Sequence, residues 1–161
     1  MSQQNSSQLI PPSNALRLKV GAGRLGAIDP AAIAKAEAAL KGLSSNFGQW
    51  LADEITKLEG SRQQVKVAGA TTETMEHLYL RAHDLKGLGT TYGYPLITRI
   101  AGSLCRMIDD RDKRIHAPLE LVDAHIDAIK AAVRDEIKSD EHPVGRVLVE
   151  ELERRVRAMG A

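Results

Sequence analysis

Three residues in one short run have the types and spacing for phosphoryl chemistry: His83, Lys86 and Gly87. An imidazole with an ordinary pKa of about 6.5 is largely neutral near pH 7, and a neutral ring nitrogen can attack a phosphoryl group and carry it covalently. On a helix, residues three and four further along neighbour that histidine. The Lys86 ammonium can there offset the charge on bound phosphoryl oxygens. Gly87 costs a helix about 1 kcal/mol relative to alanine. In exchange it leaves bare main chain beside the imidazole, onto which another protein's active site can descend. Thr90 lies one turn on, and Tyr79 and Leu80 lie one turn before, as surface against which that partner docks. A lone surface histidine is most often only a solvated side chain; the lysine and glycine at these spacings are what add chemistry.

The helix that carries these residues is legible in the pattern around them. Thr71 or Thr72 can cap its N-terminus, with Glu73 and Glu76 in the first turns, where the helix dipole favours anions. Met75, Leu78, Ala82, Leu85 and Gly89 fall within one narrow arc at 100° per residue and must face the core. His83 lies roughly 130° from the centre of that arc, on the water side. Gly93 and Pro95 close the helix.

The same reading predicts four further helices. Asp29-Pro30 opens the first, with a stripe through Ile33, Ala36, Leu40, Leu43, Phe47, Trp50, Leu51 and Leu58, and it ends somewhere in the polar stretch from Gly60 to Gly69. Gly42 and Gly48 are points at which it can bend. Pro95 opens another, through Ile97, Ile100, Ala101, Leu104, Met107 and Ile108. The charged run from Asp109 to Arg114 reads as a loop. Pro118 opens the next, with Leu119, Val122, Ile126, Ile129, Val133 and Ile137. Asp140 and Pro143 open the last, with Val144, Val147, Leu148, Leu152 and Val156. Helices that are each apolar on one face, joined by short connections, bury those faces as a bundle. The expected fold is therefore all-α: an antiparallel four-helix bundle with an additional C-terminal helix and an irregular N-terminal arm. Residues 1–28 are expected to form a flexible tail and extended arm, and residues 29–161 the bundle domain.

Composition agrees. The chain has 161 residues, 43% of them hydrophobic but only 3% aromatic, so its core must be built from aliphatic side chains that favour helices. A net charge of +1 with interspersed signs offers no patch for nucleic acid or an anionic membrane. A single cysteine, Cys105, allows no internal disulfide and fits a reducing compartment. No apolar run approaches the ~20 residues of a membrane span, and the first residues lack the pattern of a signal peptide. A cytoplasmic, monomeric protein is expected.

The run Ala82-His83-Asp84-Leu85-Lys86-Gly87-Leu88-Gly89-Thr90-Thr91-Tyr92-Gly93-Tyr94 resembles the signature of the histidine phosphotransfer family: histidine, two residues, Lys-Gly, small residues, then a glycine that ends the helix. On that resemblance the phosphorylated histidine falls on His83, the lysine on Lys86, the first glycine on Gly87 and the terminating glycine on Gly93. Leu88 and Thr90 depart from it, standing where the family often has Ala, Ser or Gly. The specific match covers about residues 82–109. The resemblance implies a phosphorelay intermediate that exchanges phosphoryl groups with the aspartate of response-regulator receiver domains, and that also meets a hybrid sensor histidine kinase. It implies a carrier rather than an enzyme, with no cofactor of its own, since Mg²⁺ and most of the catalytic groups belong to the receiver. Transfer in line asks little of the acceptor beyond position and charge offset. A non-catalytic helical scaffold and a histidine-kinase dimerisation fragment are the alternatives, although no ATP-binding boxes follow His83.

Other groupings carry less. Gly21-Ala22-Gly23-Arg24-Leu25-Gly26 matches G-x-G-x-x-G in letters, but a helix start and a second strand do not follow as a dinucleotide site requires. Asp109, Asp110 and Asp112 lack the glycine and glutamate of a calcium loop. His125 reads as flanking the core, Cys105 as a buried or half-buried thiol, and the methionines and Trp50 as core; no metal site is expected.

Overall fold

The computed structural model describes residues 29–160. It is all-helical over that range, with five α-helices: α1 (Pro30–Ala68), α2 (Thr72–Leu88), α3 (Pro95–Met107), α4 (Leu119–Arg134) and α5 (Pro143–Ala158), and a short 3₁₀ turn at Arg114–His116 between α3 and α4. The expectations for residues 1–28, including the arm and the glycine run, lie outside the described residues. The chain divides into two units, with the boundary between Gly42 and Leu43. In the first, the described residues are helical from Pro30 and exposed throughout. No helix among the described residues is long and apolar enough to cross a membrane.

The helix ends follow the residues placed there. The Asp29 carboxylate accepts from the Ala31 amide at 3.0 Å, in front of Pro30. Thr71 caps α2: its hydroxyl accepts from the Thr74 amide (3.1 Å) while the Thr74 hydroxyl accepts from the Thr71 amide (2.9 Å), a reciprocal box. Gly69 (φ +86°) and Gly93 (φ +85°) turn the chain between α1 and α2 and between α2 and α3, in the left-handed conformation that favours glycine. The cap of α5 is His142 rather than Asp140, its Nδ1 accepting from the Val144 amide at 3.2 Å.

Within the second unit α3 is central, packing against α2, α4 and α5. Its Leu96, Ile97, Ile100, Ala101 and Leu104 meet Met75, Leu78, Ala82 and Leu85 of α2, Ile126 and Ile129 of α4, and Val149 and Val156 of α5 in one buried cluster. Two glycines let backbones approach. A Cβ on Gly89 would lie 2.5 Å from Thr98 Oγ1, and one on Gly145 would lie 2.7 Å from the Ser139 carbonyl oxygen. Ion pairs tie the periphery. Arg62 of α1 is buried and pairs with Glu59 and with Asp127 of α4 (2.7 Å). Arg99 of α3 grips Glu153 of α5 with Nε and Nη2 (2.7 and 2.9 Å) and reaches Asp140 (2.9 Å).

Four expectations are corrected. Ile33, Leu40 and Leu43 are exposed, and Trp50 is 46% exposed; α1 buries only Leu51, Ile55, Leu58, Ser61, Arg62 and Val65. Val144 and Val147 of α5, Met159 just beyond it and Leu119 of α4 also face outward. A stripe of apolar residues says that a helix face can be buried, not that another element reaches it. Arg114 does not belong to a solvated loop: it is buried inside the 3₁₀ turn. His125 is wholly buried rather than flanking the core, with one ring nitrogen 2.7 Å from the Leu121 carbonyl and the other 3.0 Å from Ser103 Oγ.

Candidate functional site

α2 turns its core arc inward as the stripe requires: Met75, Leu78, Ala82, Leu85 and Gly89 are all buried. The opposite side of the same turns is thereby committed to solvent, and His83 is exposed on it. No hydrogen bond among the described residues engages the imidazole nitrogens, so both are open to a reacting molecule. The ring stands against Tyr79, one turn earlier, with centroids 6.0 Å apart and planes tilted by 42°.

Lys86 is exposed beside it, and among the described residues no carboxylate pairs with it; Asp84 faces Arg81 instead (3.6 Å). The lysine stem lies over Gly102 of α3, with Cδ and Cε 3.9 Å from where a Cβ on that glycine would be. Its charge is felt at Cys105: burial pushes the thiol up to about 11, and the Lys86 ammonium pulls weakly the other way. Gly87 is exposed, and a Cβ built on it meets nothing within 4 Å. No packing constraint therefore requires glycine at this position of α2.

The docking residues differ among themselves. Leu80 is 50% exposed. Tyr79 is only half-buried surface, because its hydroxyl donates to Asp109 Oδ1 at 3.0 Å; that bond to the carboxylate, together with burial, raises the pKa of the phenol. Thr90 is exposed but its hydroxyl bonds Thr98 Oγ1 at 3.0 Å, and its amide donates to the same oxygen at 2.8 Å. Thr98 of α3 thus holds the end of α2 at the close approach that Gly89 permits.

A groove of about 280 Å³ runs between α2 and α3 beside this patch, lined by Tyr79, Lys86, Gly102, Cys105, Arg106 and Asp109. Gly102, Cys105 and Arg106 are spaced by three and four residues and so form one face of α3, and Asp109 continues it just past the helix end. Sequence reasoning passed over Gly102 and Arg106, whose spacing from Cys105 could have marked that face; it weighed Asp109 only as part of a calcium loop, and placed Arg114 in a solvated loop, with no signal for its burial. Along α2, Tyr79 and Leu80 stand four and three residues before His83, and Lys86 and Gly87 three and four after it, so all four neighbour the imidazole on the side of the helix turned from the core. Such a surface can present a nucleophile and a cation to an incoming molecule. Comparison with protein-family models, with curated proteins and with solved structures finds no match.

Proposed function

We propose that this protein is a histidine phosphotransfer protein, accepting and donating a phosphoryl group on His83 in exchange with the aspartate of response-regulator receiver domains. The observation that carries the reading is an exposed imidazole that bonds to nothing among the described residues, with an ammonium three residues on that no described carboxylate pairs, and a glycine four residues on above which there is open space. A neutral ring nitrogen forms the N–P bond as the donor's acyl phosphate P–O bond breaks, and the carboxylate leaves. Lys86 offsets the charge on the transferred group. The sparse site suits a carrier whose partner supplies the divalent metal and the acidic pocket. A hybrid sensor kinase is the further partner that the motif implies, and a single copy in the cytoplasm suffices for the role. The arrangement that fits is an antiparallel four-helix bundle of the Leu43–Ala68 part of α1 with α2, α3 and α4, and α5 added against α3.

The test is transfer from a phosphorylated receiver. Label appears on this chain, stable in base and labile in acid, and none appears on His83→Gln. A His83→Gln variant that takes up the same label, or a wild-type protein inert towards a broad panel of receivers, ends the proposal.

A further inference from the structure

Arg114 occupies a position that the transfer reaction as described leaves unused. It is 4% exposed, and among the described residues no carboxylate side chain pairs with it. Its Nη2 donates to the main-chain oxygen of Asp109 (2.8 Å), and its Nε has no hydrogen-bond partner. Taking a cation out of water without an ion pair is costly. What the guanidinium has instead is an aromatic face: its Cζ lies 4.5 Å from the centre of the Tyr79 ring. The same ring is tied at its other end by the hydroxyl bond to Asp109. Tyr79 is thus gripped by face and by edge from the turn between α3 and α4. The partner of this immobilised ring on α2 is His83, at a centroid distance within the range where aromatic pairs attract.

We propose that Arg114 is a positioning residue for His83: together with Asp109 it clamps Tyr79 as a fixed wall that holds the imidazole in one rotamer, presented to the incoming phosphoryl group. The inference rests on His83 being the phosphoryl acceptor. Side chains of this kind on a helix share mainly two χ1 wells. A wall that selects one of them raises the competent population about two-fold over a ring free to occupy both. A long-lived orientation also presents the same nitrogen to every donor.

The experiment reads the rotamer directly. In the full chain, three-bond couplings between the ring Cγ and the backbone nitrogen and carbonyl carbon report χ1 of His83. Labelling by phosphoramidate, a small donor that needs no docking surface, reports the nucleophile: the ring nitrogen's lone pair forms the N–P bond as the donor's P–N bond breaks, and ammonia leaves with the donor's own protons. Wild type is expected to show one χ1 well. Arg114→Met and Tyr79→Ala are expected to show averaged couplings and labelling about two-fold slower. Where the methionine variant does not fold, Arg114→Gln, neutral yet still able to donate to the Asp109 carbonyl, carries the same comparison. His83 couplings that keep their wild-type values in the folded Arg114 variant overturn the proposal, as does a wild-type ring already averaged over two wells. Wild-type protein that no donor labels at His83 overturns the phosphotransfer reading instead, whatever the couplings show.

Discussion

Replacing Gly87 sets the fold and the proposed function against each other, and so separates them. A Cβ at this position meets nothing within 4 Å, so alanine introduces no strain. Glycine costs about 1 kcal/mol relative to alanine in a helix interior. Gly87 is the penultimate residue of α2, where fraying reduces that difference, so Gly87→Ala should stabilise the protein by roughly 0.5 kcal/mol and raise Tm by about 2 °C. Gly87→Leu should also fold, since its side chain enters solvent. A leucine there stands between the imidazole and any protein descending on it. Losing even ~1.4 kcal/mol of docking slows transfer tenfold, so transfer from a phosphorylated receiver should fall at least about tenfold while phosphoramidate still labels His83 at the wild-type rate. The assay pairs thermal denaturation with both labelling reactions on the same preparations. A Gly87→Leu protein that takes label from receivers as fast as wild type refutes the idea that bare main chain serves docking. The neighbouring Gly89→Ala provides the contrast: its Cβ would lie 2.5 Å from Thr98 Oγ1 and 2.6 Å from the Thr98 nitrogen, so it should destabilise by about 1–3 kcal/mol.

Lys86→Ala should slow transfer by roughly tenfold without abolishing it, as expected for one charge-assisted contact of about 1.4 kcal/mol, and without loss of Tm; an unchanged rate would show that the ammonium only solvates the helix. His125 is held neutral below the usual imidazole range, chiefly by burial. Its unfolded form takes up a proton as pH falls through about 6.5 while the folded form resists, so stability is fully present above that pH and declines below it; urea midpoints measured from pH 7.5 to 5 should fall, and should fall less in a folded His125→Leu protein. Ser103→Ala leaves a buried ring nitrogen of His125 without its 3.0 Å partner and should cost about 1–3 kcal/mol by chemical denaturation. The Cys105 thiol, pushed up to about 11 by burial, should resist iodoacetamide at pH 8 until the protein is unfolded; rapid native alkylation would contradict its placement in α3.

Much of the local structure was written in residues close together along the chain. Thr71 and Thr74 close the α2 cap between themselves, Pro95 and Pro143 start α3 and α5, and the stripe from Met75 to Gly89 alone determines that His83 faces water. These are effects of helical period and of main-chain groups at helix ends, which depend on neighbours within a turn or two. The nucleophile, the cation and the bare main chain of the candidate site belong to this class, because all three lie on two turns of one helix. Tertiary structure decided which apolar faces are covered: the stripe on α1 continues back to Ile33, but burial begins at Leu51. It also decided the fate of charges. Arg111, Lys113 and Arg114 look alike as members of one polar run, yet Arg114 is buried against Tyr79 of α2 while Arg111 and Lys113 stay in water. A charged side chain carries no periodic signal of its own. Whether it is solvated or buried depends on which distant ring, carbonyl or carboxylate the fold brings to it, and that information exists only once α2 and α3 are packed together.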